Sequence, residues 1–242
     1  MQQLVRPTEF VCLDNLADVK SLIDIKPYID AAICYSWFYA RPEKLQQSAN
    51  LFENELGIQD YIEKARQNPE NFGPKDLIRD LDHNDLLGSY LRFWGDIEYR
   101  GYLLTLRYSQ DYSNKHLRSK STSIACDDRF DQFYKWLDQQ ELFSEYGRVF
   151  VVVNEPFNGS RPHVDVKNAN SDPDEFIWFR FNLKKQFWIE VDSQKKYASG
   201  YLSWFDTALL HGGDPIPYAC YSIRVDGVFS PKVRDYLTNY SR

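Results

Sequence analysis

Val149-Phe150-Val151-Val152-Val153 is a β-branched run, and it marks where this chain changes rhythm. From Gly147 onward, short strand-like segments follow one another. Phe176 to Leu183 alternates, Phe187 to Val191 follows, then Tyr201 to Phe205, then Cys220 to Phe229. Turn residues separate them: Asn158-Gly159, Ser171-Asp172-Pro173, Asp192-Ser193 and Gly212-Gly213. Several short strands at this spacing predict a β-sandwich or barrel.

Upstream of that run the period is helical. Leu16, Val19, Leu22 and Ile23 within Leu13 to Ile25 have the spacing of one helix face. Pro42 to Gln67 repeats it with Leu45, Ala49, Phe52, Leu56, Tyr61, Ile62 and Ala65, and Asp76 to Trp94 predicts a third helical stretch. Gly101 to Tyr108 reads as a strand, and the polar Ser109 to Ser123 as a loop. Asp127 to Tyr146 returns to helical spacing through Phe130, Phe133, Tyr134, Leu137 and Phe143. The expected fold class is α+β. A mainly helical flanking region over 1–146, with one or more strands, packs on a β-core over 147–230. No linker separates them, so 1–242 is expected to be a single domain, a size one core can serve.

Composition narrows the function classes. Hydrophobic residues make up 43% and charged residues 26%, which is ordinary for a globular protein and excludes a disordered chain. The net charge of −6 argues against broad nucleic-acid binding, which needs a basic face. No segment approaches the roughly 18 apolar residues of a membrane span. Met1 to Asn15 has no basic start followed by an apolar stretch, so no signal peptide is expected. Cys12, Cys34, Cys126 and Cys220 lie far apart, which disfavours both a disulfide framework and a zinc ribbon and fits a reducing cytoplasm. Aromatics reach 16%, most of them expected in the core.

The chemistry is carried by few residues. Of four histidines, His163 sits in Arg161-Pro162-His163-Val164-Asp165. On an extended strand, residues two apart point the same way, so His163 and Asp165 present an imidazole and a carboxylate to one point. His211, in Leu209-Leu210-His211-Gly212-Gly213, follows the Tyr201 to Phe205 strand. Two histidines and one carboxylate form the facial set of non-haem Fe(II) oxygenases, which leaves positions open for a co-substrate and O₂. Arg224 lies 13 residues after His211 in Tyr221-Ser222-Ile223-Arg224-Val225-Asp226, sharing a strand face with Ser222. A guanidinium beside a hydroxyl clamps a carboxylate well. His83-Asn84-Asp85 offers the same H-x-D spacing, but on a predicted helix, where i and i+2 point apart; His116 sits in a polar loop.

Each residue also has a plain structural use. His163 after Pro162 suits a loop, His211 before Gly-Gly a turn cap, and Arg224 an ion pair with Asp226 or a surface carboxylate. Their joint occurrence in order favours the site. The order H-x-D, distal His, then Arg on the last core strand resembles the Fe(II)/2-oxoglutarate-dependent oxygenase superfamily over roughly residues 148 to 230. That resemblance implies a double-stranded β-helix (jelly-roll, cupin-like) core. It implies Fe(II) held by His163, Asp165 and His211, with 2-oxoglutarate and O₂ as co-substrates and Arg224 on the distal carboxylate of 2-oxoglutarate. Ser222, beside Arg224, is expected to share in holding that carboxylate. Trp178, Arg180 and Asn182 share one face of the Phe176 to Leu183 strand. Arg180 and Asn182 either contact 2-oxoglutarate or substrate, or face solvent. A basic residue there resembles the aspartyl/asparaginyl β-hydroxylase branch. Asp165, an acidic ligand that branch commonly lacks, departs from it, and also disfavours the halogenating branch. Hydroxylation of a small molecule, amino acid or peptide is the expected activity, with no nucleic-acid or membrane partner. Two alternatives stand: a cupin-like metal enzyme without 2-oxoglutarate, which has no need of Arg224, and a non-catalytic β-sandwich binding module.

Overall fold

A computed structural model of the chain describes residues 6–30, 33, 90–94, 101–107, 130–154, 157–165, 173–217 and 220–240. The elements run β1 (Val11–Cys12), α1 (Val19–Asp24), β2 (Tyr90–Trp94), β3 (Gly101–Arg107), α2 (Asp131–Gln140) and β4 (Phe143–Asn154). They continue as β5 (Ser160–His163), β6 (Phe176–Arg180), β7 (Phe187–Val191), β8 (Gln194–Tyr197), β9 (Leu202–Trp204), β10 (His211–Gly213), β11 (Cys220–Phe229) and α3 (Pro231–Tyr240). One sheet has the order β1-β9-β6-β11-β4-β3-β2 and the other β5-β10-β7-β8. Every pairing is antiparallel.

From β4 onward the chain alternates between the sheets, except that β7 and β8 pair as a hairpin in the same one. Strands β4, β6, β9 and β11 fall in the larger one, and β5, β7, β8 and β10 in the smaller. That wrapping is a jelly roll. The sheets meet through interior side chains, as where Trp178 of β6 and Phe187 of β7 bring their rings to 4.9 Å.

Strand β11 lies between β4 and β6 and is buried almost throughout. Alternation sorts its residues. Cys220, Ser222, Arg224 and Asp226 share the interior face, in register with Asn154, Val152 and Phe150 of β4. Tyr221, Ile223 and Val225 point the other way. That outer apolar face is covered by α2, whose Phe133 and Trp136 rings stand 5.4 Å and 5.8 Å from Phe179. Phe179 is fully buried. Its replacement by Ala removes a whole ring from a packed layer and is expected to cost about 3–5 kcal/mol, read as a lower urea midpoint.

The N-terminal segment is tied to the far end of the chain. Arg6 pairs with Asp206 at 2.7 Å. The Asp14 carboxylate accepts the backbone N–H groups of Tyr201 and Leu202. The Tyr221 hydroxyl donates to Asp30 at 2.6 Å, and the Tyr236 hydroxyl donates to the Cys12 carbonyl at 3.2 Å.

The strands expected at Phe187–Val191 and Cys220–Phe229 stand at those bounds, whereas that from Phe176 ends at Arg180. The expected helical N-terminal half is not shown as such. Among the described residues before Asp131, helix is confined to 14–16, α1, 26–30, 33 and 130, while β1, β2 and β3 extend the larger sheet. The helix expected to reach Trp94 is a strand over Tyr90–Trp94, rich in aromatic strand-formers and paired with β3. The helix expected over 127–146 stops at Glu141, whose left-handed backbone (φ 54°) closes α2, and Tyr146 already belongs to β4. Helix α3 was not anticipated. Ser230 caps it, Pro231 opens it, and Val233 and Leu237 bury one face. The expected helix over 42–67, the stretch 76–89, the loop over 109–123, His83 and His116 lie outside the described residues. Among the described residues, no helix is long and apolar enough to cross a membrane.

Candidate metal centre

His163 ends β5 and His211 begins β10, and the register sets them directly opposite each other. Opposed residues of an antiparallel pair share a face, and the two imidazole rings lie 4.3 Å apart. Asp165 lies two residues past His163, where its backbone N–H donates to the Thr207 carbonyl at 3.0 Å. Its Oδ1 is 3.2 Å from His163 Nε2 and 3.9 Å from His211 Nε2. One ligand atom from each of the three lies within 4.8 Å of the others.

Both rings are oriented from behind. His163 Nδ1 lies 2.6 Å from the Arg161 carbonyl and His211 Nδ1 2.9 Å from the Leu209 carbonyl. A carbonyl only accepts, so each Nδ1 carries the hydrogen, and both Nε2 atoms face Asp165. The side chains grade from open to closed: 51% exposed for His163, 29% for Asp165 and 4% for His211.

The charges suit a cation. Burial pushes His211 down to about 4, so it is neutral near pH 7. Burial would raise the Asp165 carboxyl, but hydrogen bonding with His163 and the charge of Arg224 outweigh it and hold the group well below the usual carboxylate range. The hydrogen bond to Asp165 raises His163. A neutral imidazole and an ionised carboxylate are the states a metal requires.

Arg224 comes up from β11 beneath this cluster. Its Nη1 donates to Asp165 Oδ2 at 2.8 Å, its Nε to Asp226 Oδ1 at 2.9 Å and its Nη2 to Asp174 Oδ2 at 3.4 Å. The guanidinium also stacks 4.0 Å from the Phe176 ring centroid. Arg148 donates to the other oxygen of Asp226 at 2.6 Å. Burial works against the Arg224 cation, but Asp226, Asp165 and Asp174 outweigh it. The pair with Asp226 that sequence offered as a structural use is present together with the pair to Asp165.

Four of the expected residues therefore come together: His163, Asp165, His211 and Arg224. Ser222 is buried one step along β11 on the same face. Arg180 and Asn182 do other work. Arg180 is buried rather than solvent-facing, and donates to the carbonyls of Gly200 at 3.1 Å and Lys185 at 2.9 Å. Asn182 Oδ1 accepts the Lys184 backbone N–H at 2.9 Å. Both shape the turn between β6 and β7. Sequence reading also passed over Lys185. Its side chain is buried in the barrel.

Gly212-Gly213 is strand rather than turn. At Gly212 a Cβ would stand 2.8 Å from the Trp188 ring and 2.9 Å from the Ser160 carbonyl oxygen. The glycine lets β5 and β10 close together, and with them the two histidines.

No family model and no curated protein matches this chain. Solved structures similar to it include an oxidoreductase of the 2OG-Fe(II) oxygenase family from Burkholderia pseudomallei. It is 13% identical with a TM-score of 0.40, and the match covers 75% of this chain and 96% of that one. A Pseudomonas putida prolyl-4-hydroxylase is 11% identical with a TM-score of 0.33, covering 76% and 91%. A prolyl hydroxylase in complex with a hypoxia inducible factor oxygen degradation domain peptide fragment, from Trichoplax adhaerens, is 11% identical with a TM-score of 0.34, covering 86% and 96%.

Proposed function

We propose that this protein is an Fe(II)- and 2-oxoglutarate-dependent oxygenase that hydroxylates a small molecule, amino acid or peptide. The observation that carries the reading is the convergence of His163, Asp165 and His211 at the mouth of a jelly roll, with both Nδ1 atoms tied back and both Nε2 atoms facing one carboxylate. Two imidazoles and one carboxylate suit a divalent first-row metal. When bound, Fe(II) with 2-oxoglutarate and O₂ supplies oxidative decarboxylation of the co-substrate coupled to oxidation of a C–H bond. The chain's own residues do the positioning. Arg224 engages Asp165 Oδ2 and leaves Oδ1 toward the histidines. The interior walls, Phe150, Phe176, Trp178, Phe187 and Ile189, are buried and keep the reacting end dry. Half-exposed His163 marks the side on which substrate enters. The free thiols of Cys12 and Cys220 fit a cytoplasmic location.

One observation favours the second reading, a metal enzyme without 2-oxoglutarate. Arg224, expected as the carboxylate anchor, is already engaged by three carboxylates. Anaerobic absorption spectroscopy separates the two. Metal-free protein receives Fe(II) and then 2-oxoglutarate. A visible charge-transfer band that needs both additions is expected, and succinate release then screens amino acids and peptides. Tight metal binding with no band assigns the second reading, and neither metal nor band removes both.

A further inference from the structure

The guanidinium that meets Asp165 is itself held from behind. Arg224 and Asp226 share the interior face of β11, two residues apart. Arg224 Nε donates to Asp226 Oδ1 at 2.9 Å, while Nη1 of the same group donates to Asp165 Oδ2 at 2.8 Å. The Phe176 ring centroid lies 4.0 Å from the guanidinium carbon. A guanidinium is flat and rigid, so a bond at Nε and a ring against its plane fix where Nη1 points. Asp226 therefore aims the hydrogen bond that Asp165 receives.

Asp226 is fixed in turn. Its side chain is wholly buried, and its Oδ2 accepts from Arg148 Nε at 2.6 Å. The backbone brings Arg148 there. Val225 pairs with Val149, whereas Gly227 pairs with Tyr146, so β4 carries one residue more than β11 opposite Asp226. Such a bulge re-aims side chains. Gly227 lets the two strands close beside it, because a Cβ there would stand 2.6 Å from the Glu145 carbonyl oxygen. A chain of charge-assisted bonds thus runs from Arg148 through Asp226 and Arg224 to Asp165.

The chain ends on a proposed ligand. With Oδ2 taken by Arg224, Asp165 turns Oδ1 toward the histidines, 3.2 Å from His163 Nε2 and 3.9 Å from His211 Nε2. A carboxylate free to rotate offers either oxygen, whereas this one is already turned. Partners that orient a ligand from outside set metal affinity in this way.

We infer that Asp226 is a positioning residue of the metal centre: acting through Arg224, it keeps Asp165 Oδ1 toward the two histidines and so sets the affinity for a divalent metal. This inference rests on the proposed metal centre, which the readings with and without 2-oxoglutarate share.

The test titrates anaerobic Fe(II) into the full chain by calorimetry and records the visible ligand-field bands of the same proteins saturated with Co(II). Wild type is expected to bind both metals. Asp226→Asn is expected to weaken Fe(II) by about ten- to a hundredfold and to change the Co(II) bands. Phe179→Ala, which loosens the outer layer of the sheet, is expected to lose stability yet keep wild-type affinity and bands, so general destabilisation is told apart from positioning. The decisive comparison adds Asp226→Asn to Arg224→Met. Action through Arg224 predicts no further loss of Fe(II) affinity there. Arg224→Lys covers the case in which Asp226→Asn does not fold. A lysine keeps the charge but lacks the fork that meets Asp226 and Asp165 with different nitrogens, so the same loss is expected. Wild-type affinity and bands in Asp226→Asn, or wild-type affinity in Arg224→Lys, overturn the inference and leave the metal centre standing. An equal loss with and without Arg224 also overturns it, since Asp226 would then act by its charge alone. Absence of metal binding by wild type ends the metal-centre reading, and this inference with it.

Discussion

His211→Ala is expected to leave a folded protein that no longer retains Fe(II) or turns over 2-oxoglutarate. His211 is the most enclosed of the three proposed ligands, held by strand pairing on both sides and by the Leu209 carbonyl on Nδ1. Its Nε2 therefore has one direction available, toward Asp165. Groups that merely orient a ligand are worth ten- to a hundredfold in metal affinity, so the loss of a ligand exceeds about a hundredfold. The Asp165–Arg224 pair does not depend on the imidazole, so the sheets stay together. Titration of anaerobic Fe(II) into wild type and variant, with circular dichroism on both, reads the effect. Full affinity in the variant would move the distal ligand elsewhere.

Arg224→Met is expected to show a large loss of stability. The guanidinium is 5% exposed and faces Asp165, Asp174 and Asp226, the last of them wholly buried. Methionine fills much of the volume but leaves these carboxylates short of one cation. Arg148 still serves Asp226, whereas Asp165 keeps only the histidines. Breaking a buried pair from one side costs about 3–5 kcal/mol, because the remaining charge stays desolvated. Urea unfolding of wild type, Arg224→Met and Asp174→Asn resolves it. Asp174 contacts Arg224 at 3.4 Å and belongs at the weak end of the series. A midpoint unchanged in Arg224→Met would mean that the three carboxylates re-solvate freely.

Much of the core was legible because strands of this length write their period into sequence. Phe187–Val191 and Cys220–Phe229 are bounded by turn residues and stand where the pattern places them. His163 and Asp165 were legible as a pair from their spacing of two. The register that brings His211 opposite His163 is a tertiary fact with no local signature. Gly212-Gly213 was read as a turn because glycine usually marks one; here Trp188 and Lys185 occupy the space that side chains would need. Lys185 had no signal at all, since burial of a lysine depends on what packs over it. Tyr90–Trp94 misled the helical reading because a short aromatic segment fits either period until a partner strand decides.

The ties between the N-terminal segment and the far end of the chain bear on how the polypeptide reaches this shape. Arg6 and Asp206 are 200 residues apart in sequence, Asp30 and Tyr221 are 191 apart, and Cys12 and Tyr236 are 224 apart. Contacts of such separation are slow to form, because a long loop must close before any of them stabilises the chain. Residues 6–30 thus wait for partners at 206–236 that are synthesised after them, and until then β9 has no β1 to cover its edge. Synthesis and folding are thereby uncoupled for residues 6–30: they take their places only after the strands from β9 onward have been made.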